Sequence, residues 1–185
     1  MQVFAWVALV AYWFAWGYPL IFWAAKKQSS DSNGARRAYM HAGFLLEGIA
    51  IFLAFALGIS PESSVGWARL LPAVTLGTIA VSLSWLSVKY VGKRLRVHAD
   101  CRLEEIARTG PYSRVRYPIC TSLMAILLCT LAILTPWRWA IFPLACFVAG
   151  AEICVRAQDR QLVARFGEQF QQYQRRVPAY IPFVR

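Results

Sequence analysis

The sequence has few acidic residues and few histidines: nine Asp and Glu stand against 20 Lys and Arg, and there are only two His. A net charge of +11 would indicate nucleic-acid binding in a soluble protein. However, the chain also lacks a polar stretch long enough for a separate soluble domain, and 58% of its residues are hydrophobic. This is too apolar for a soluble domain of 185 residues. These absences predict one integral membrane domain over residues 1–185, with membrane lipids as partners and no nucleic acid.

The five cysteines lack the spacing of a metal or redox site. The sequence contains no CxxC pair and no alternation of Cys with His at ligand distance. Four of the cysteines fall in apolar stretches, where a free thiol packs as a small apolar side chain. The sequence therefore predicts no metal site.

Long apolar runs dominate what remains. A membrane-spanning helix needs about 20 mostly apolar residues, and five stretches meet this requirement. The first has no basic residue before it and is longer than the apolar core of a signal peptide, so we interpret it as a retained span. The predicted fold is all-α and polytopic, with five transmembrane helices at residues 3–25, 40–59, 70–91, 118–135 and 137–155.

The basic residues occur in alternate connections between these stretches. They cluster between Lys26 and Arg37, between Lys89 and Arg116, and after residue 155, whereas the other two connections hold only Arg69 and Arg138. Basic loops remain on the cytoplasmic side of a membrane. The pattern predicts an N-terminus that faces outward and a cytoplasmic C-terminus.

The composition changes after the fifth stretch. Residues 156–176 are mainly polar, but apolar side chains recur among them every three or four positions, which is typical of an amphipathic helix. A helix of this composition does not span a membrane, so we expect it to lie on the membrane face or to cover the basic loop. Its apolar positions are Leu162, Val163, Phe166, Phe170 and Tyr173, with Val177 just beyond the helix.

The segment "GPYSRVRYP" leads from the basic loop into the fourth stretch. Gly110, Pro111 and Pro118 favour a non-helical backbone, whose amide groups need partners. The segment fits two interpretations: a wall of a polar pocket, or an anchor for anionic lipid. Glu152, near the same end of the fifth stretch, is either a functional acid that points toward the basic loop or the partner of an interfacial arginine.

Three motifs in the second half of the chain resemble a known family. They are "TGPYSRVRYP", "QDRQL" and "FGEQFQQYQRRVPAYIPF". Together they are similar to the C-terminal half of the isoprenylcysteine carboxyl methyltransferases and their bacterial relatives, whose pattern is GPY, RHPxY, EExxL, FGxxYxxY and VPxxIP. The resemblance extends from about Leu86 to the end of the chain. The sequence departs from the pattern at Tyr117 in place of histidine, at Cys120 in place of tyrosine, and at Gln158-Asp159 in place of two glutamates.

The resemblance implies a membrane methyltransferase of the bacterial inner membrane that uses S-adenosylmethionine and acts on an amphipathic acceptor, with a prenylated cysteine carboxylate as the family's best-known example. It implies that tyrosine rings pack on the cofactor, that an arginine holds a carboxylate, and that Asp159 accepts hydrogen bonds from the cofactor. The expected catalytic residues are Glu152, Arg156 and Asp159. The expected cofactor-binding residues are Tyr112, Val115, Arg116, Tyr117, Pro118, Gln158, Asp159, Leu162 and Tyr173.

Each of these residues also has a structural interpretation. The tyrosines are consistent with an interfacial belt, the arginines with binding to lipid phosphate, and Asp159 with an ion pair to a nearby arginine. Two other functions therefore remain open. One is a non-catalytic membrane scaffold or lipid-binding protein, and the other is a sterol-reductase-like enzyme that uses NADPH.

Overall fold

The computed structural model describes residues 2–26, 34–58, 66–97 and 109–180. Within these ranges the chain is entirely helical, as predicted, with six α-helices and no strand. A single turn of 3-10 helix, Gly110–Ser113, precedes the fourth helix. The α-helices are α1 (Gln2–Lys26), α2 (Gly34–Ala56), α3 (Trp67–Val97), α4 (Pro118–Leu134), α5 (Ile141–Phe166) and α6 (Glu168–Arg176).

Three of these helices contain segments long and apolar enough to cross a membrane: Val3–Ile21, Trp67–Tyr90 and Ile141–Phe166. Two further apolar helical segments, Met40–Ala56 and Pro118–Leu134, are shorter than 18 residues. The outward faces of the helices carry large apolar side chains, among them Phe4 and Phe14 of α1 and Phe52 of α2. Contact with lipid is favourable for such an apolar surface, whereas its exposure to water would be unfavourable.

The boundary that the sequence predicts between a fifth span and a separate helix at residues 156–176 is wrong. Helix α5 begins at Ile141, after a turn at residues 137–140, and continues without interruption to Phe166. It ends at Gly167, whose φ of +54° is accessible mainly to glycine. Only Glu168–Arg176 forms a separate helix, which buries Phe170 and Tyr173 and leaves Glu168 exposed.

Helix α4 lies at the centre of the bundle, and ten of its 17 residues are buried. On one side, Cys129 and Ile133 pack with Ala5 and Leu9 of α1 and with Ala73 of α3. On the other side, α4 packs against α2 and α5 through Leu127, Leu131, Ala50, Ala54 and Phe147. The helix that follows the "GPYSRVRYP" segment is therefore fixed from several directions, which gives that segment a rigid base.

Helices α2 and α5 approach each other closely at a pair of glycines. A methyl group added at Gly150 would lie 2.8 Å from the carbonyl oxygen of Gly43 and 3.1 Å from the amide nitrogen of Glu47. Both atoms belong to the backbone of α2, so they can move only if the helix itself shifts. In lipid, helix association depends on such close backbone contact between small residues.

Gly150→Ala should therefore destabilise the protein. The added methyl group must push α2 away from α5, and overpacking of this kind costs about 1–3 kcal/mol. The measurement is the free energy of unfolding of the purified protein in detergent.

Gly48→Ala is the matched control, since a methyl group there meets no atom within 4 Å. It should leave the free energy of unfolding unchanged or slightly raised, because alanine favours the helix. Equal losses in the two variants would show that the glycine contact does not hold α2 to α5.

Candidate functional site

The "GPYSRVRYP" segment is paired with the chain that follows α6. The backbone amide of Arg116 donates to the carbonyl of Pro178 at 2.8 Å, and that of Tyr117 donates to the carbonyl of Ala179 at 2.9 Å. The Arg116 Nε donates to the carbonyl of Val177 at 3.0 Å. The prediction of a non-helical backbone is wrong at Gly110–Ser113, which forms a 3-10 turn with Pro111 at its start. Arg116 and Tyr117 lie between this turn and α4, and their amide groups find their partners in the C-terminal segment.

Asp159 of α5 connects the "GPYSRVRYP" segment with α6. One terminal nitrogen of Arg116 donates to both carboxylate oxygens of Asp159, at 2.6 and 2.7 Å. The Tyr117 hydroxyl donates to Oδ1 at 2.6 Å, and the Gln174 side chain of α6 donates to Oδ2 at 3.0 Å. The carboxylate therefore has three partners from two other parts of the chain, and the ion-pair alternative for Asp159 is present in the structure.

The ion pairs formed by two acidic residues of α5 differ strongly in burial. The Arg116 and Asp159 side chains are 10% and 15% exposed, whereas those of Arg156 and Glu152 are 71% and 39% exposed. Arg156 Nε donates to Glu152 Oε1 at 2.7 Å, and the Tyr180 hydroxyl donates to Oε2 at 3.2 Å. For Glu152, the arginine-pair alternative is the one that the structure contains.

The three tyrosines that the resemblance assigns to the cofactor lie close together. The Tyr173 hydroxyl donates to the carbonyl of Tyr112 at 2.5 Å. Burial raises the pKa of Tyr112 well above its usual value, and nearby Tyr173 adds to the shift. Burial, followed by the hydrogen bond to Asp159, raises the pKa of Tyr117. Both phenols therefore stay protonated at neutral pH, and that of Tyr117 donates to Asp159.

The remaining predicted residues divide into two groups. Val115 and Pro118 are buried in the bundle, and Leu162 packs against the buried cluster that includes Phe170 and Tyr173. By contrast, the half-buried Gln158 side chain makes no hydrogen bond within the part of the chain that the structure describes. Both polar atoms of the Gln158 side chain are thus available to a ligand.

Sequence reasoning missed three members of this site. Gln174 bonds Asp159, Tyr180 bonds Glu152, and Thr121 Oγ1 donates to the carbonyl of Tyr180 at 2.6 Å. Tyr180 falls at a variable position of the VPxxIP motif, and Gln174 stands among several similar polar residues, so no pattern distinguishes them.

Comparison with known proteins finds no family model that matches the chain and no curated protein with significant sequence similarity to it. The resemblance to the methyltransferases therefore depends on the motifs alone and stays a prediction.

Replacing Asp159 tests the importance of this network for stability. In Asp159→Ala, the largely buried guanidinium of Arg116 loses its counter-charge, and removing one partner of a buried pair costs about 3 kcal/mol. The free energy of unfolding is measured in detergent. Limited proteolysis near Val177 shows whether the tail, meaning the chain that follows α6, has separated from the bundle.

Arg156→Ala provides the comparison, since it breaks an exposed arginine–carboxylate pair within α5. Such pairs contribute below about 0.5 kcal/mol. Tyr117→Phe removes one donor to Asp159 and should fall between the two. If Asp159→Ala were no more costly than Arg156→Ala, the Asp159 network would not hold the tail.

Proposed function

We propose that the protein is an S-adenosylmethionine-dependent membrane methyltransferase that acts on an amphipathic or lipid-like acceptor. One observation carries the proposal: three motif segments far apart in the sequence meet at one end of the bundle. The segment before α4 and helix α6 both bond Asp159 at the polar end of α5, and the tail after α6 bonds Arg116. Tyr112, Tyr117 and Tyr173 are grouped beside them.

The residues at this place fit such a cofactor in part. Aromatic rings attract a positive sulfonium, and Tyr112 is half-buried with a hydroxyl that makes no hydrogen bond to the described residues. Gln158 has donors and an acceptor for a polar group. Arg156 has an exposed guanidinium for a carboxylate. Asp159 acts through Arg116 and Tyr117, as a residue that positions the segment.

When bound, the cofactor supplies an electrophilic methyl group. Transfer of a methyl group depends on alignment of the two reactants more than on acid–base help, and alignment alone can supply a large part of the rate. The role of the chain is then to hold the Tyr112 segment rigid. Its backbone pairing with the tail performs this role.

A non-catalytic scaffold is the second candidate, and a specific observation favours it. The Asp159 carboxylate is already engaged by Arg116, Tyr117 and Gln174, so the network can serve stability alone. A sterol-reductase-like enzyme is distinguished from both by its nicotinamide cofactor.

Titration of the purified protein with S-adenosylmethionine and, separately, with NADPH discriminates among the three functions. We expect saturable binding of S-adenosylmethionine and none of NADPH, measured by isothermal calorimetry in detergent. Binding of NADPH alone would indicate the reductase, and binding of neither the scaffold.

Tyr112 variants test the location of the site. Tyr112→Ala should weaken S-adenosylmethionine binding at least about tenfold, equivalent to roughly 1.4 kcal/mol, because an aromatic contact is lost. Tyr112→Phe keeps the ring and should bind nearly as well. Tyr18→Ala removes a tyrosine from α1 and should have no effect. Unchanged affinity in folded Tyr112→Ala would remove this segment from the cofactor site.

The proposal includes five membrane crossings in the bacterial inner membrane, with α2 and α4 as the two short spans and the site on the cytoplasmic face. The distribution of Lys and Arg supports this orientation. Reporter fusions at Arg185 should be active only for cytoplasmic reporters, and fusions within the turn at Arg138 only for periplasmic ones. The reverse pattern at Arg185 would place the site on the outer face and rule out access to a cytosolic cofactor.

A further inference from the structure

A groove of about 320 Å³ lies between α1 and α3, away from the Asp159 network. This volume is near the lower end of the range for small-molecule sites, roughly 300–1,000 Å³. The wall on α1 carries the small residues Ala8, Ala11 and Ala15, and the wall on α3 carries Thr78, Val81 and Ser82. The groove lies within the apolar segments Val3–Ile21 and Trp67–Tyr90.

The groove is a consequence of how α1 and α3 contact each other. The ring of Tyr12 bridges the two helices, with its hydroxyl 3.2 Å from Thr78 Oγ1 and 3.3 Å from the carbonyl of Val74. The alanines on the same face of α1 are too short to reach α3. In a bilayer, an unfilled gap would lose dispersion contacts on both walls. A helix about 10 Å wide is too large for this space, whereas one hydrocarbon chain can enter it.

A basic residue lies at one end of the groove. Thr78, Ser82, Trp85 and Lys89 follow one another by four, three and four residues, so they share one face of α3. Lys89 is exposed and stands one residue before the end of the apolar segment Trp67–Tyr90. It lies seven residues beyond Ser82, about 10 Å along the helix at 1.5 Å per residue.

An aromatic pair separates the groove from Lys89. Trp85 Nε1 donates to the carbonyl of Ala15 at 2.9 Å, and the Trp85 ring stacks on Tyr18 with centroids 5.9 Å apart. Tryptophan and tyrosine favour the level of the lipid headgroups. From the middle of α3 to its end, this face thus presents a slot for a chain, an interfacial aromatic pair and a cation.

We propose that this groove is a binding site for an anionic phospholipid, with one acyl chain between α1 and α3 and the phosphate on Lys89. The residues that line the groove are separate from those proposed to bind S-adenosylmethionine. The charge of Lys89 selects an anionic headgroup, and the short side chains of α1 provide the space for the chain.

Native mass spectrometry of the full-length protein in detergent tests the site, with dioleoylphosphatidylglycerol and dioleoylphosphatidylcholine as probes. The wild-type protein should retain one tightly bound phosphatidylglycerol in preference to phosphatidylcholine. Ala11→Phe fills the groove and should weaken this binding at least about tenfold. Lys89→Gln should weaken phosphatidylglycerol binding about fivefold, because one basic residue contributes about 1 kcal/mol of attraction to anionic lipid.

Two controls match these variants. Ala149→Phe adds the same ring at an exposed alanine of α5, and Arg138→Gln removes a cation from the opposite end of the bundle. Both should leave the tight lipid in place. Ser82→Leu, at an exposed position of α3, obstructs the same groove from the other wall and should reproduce the Ala11→Phe result if that variant folds poorly.

A photoactivatable phosphatidylglycerol should cross-link to peptides that contain residues 8–15 or 78–82. Equal lipid affinity in folded Ala11→Phe, Ser82→Leu and Ala149→Phe would overturn the proposal. It would also be overturned if the wild-type protein were a dimer that Ala11→Phe converts to a monomer without loss of lipid, because a second copy of the chain would then occupy the groove.

Discussion

The ion pair between Arg116 and Asp159 is the interaction on which the polar end of the structure depends. Two largely buried charges are unfavourable unless their mutual attraction is supplemented by hydrogen bonds. Here Tyr117 and Gln174 supply these bonds to the carboxylate, and the carbonyl of Val177 accepts one from the guanidinium. Each of these partners belongs to a different stretch of chain. The hydrogen bonds around one ion pair therefore hold four parts of the chain together: the segment before α4, the end of α5, α6 and the tail.

The apolar part of the bundle follows a different principle. Its outward faces carry large side chains for lipid, while close helix contacts use small ones, as at Gly43 and Gly150. Hydrophobic burial does not hold helices together in a bilayer, so packing and buried hydrogen bonds must do so. The indole groups of Trp13 and Trp16 in α1, which donate to Thr130 and Ser122 of α4, are contacts of this kind.

The apolar helices were predictable because long hydrophobic runs have few alternatives to a helix. The boundary near residue 155 was not, because the composition changes there while the helical conformation continues. Arg, Gln and Leu are all good helix formers, so α5 continues until Gly167 permits a positive φ. For the site, motifs selected Arg116, Tyr117 and Asp159. They did not select Gln174 or Thr121, because a tertiary partner leaves no periodic signal in the sequence.

The structure also separates two arginines that the sequence treats as equivalent. Arg116 and Arg156 both suit a carboxylate, but the guanidinium of Arg116 is already committed to Asp159 and to the tail. Displacing it would leave a largely buried Asp159 without its cation. The stability lost in this way exceeds the free energy gained by binding an incoming carboxylate. Arg156 is mostly exposed, and its partner Glu152 is partly exposed as well. Exchanging that partner for a ligand therefore loses little free energy. Of the two, Arg156 is therefore the residue suited to bind an anion, whereas Arg116 holds the segment before α4 against Asp159 and the tail.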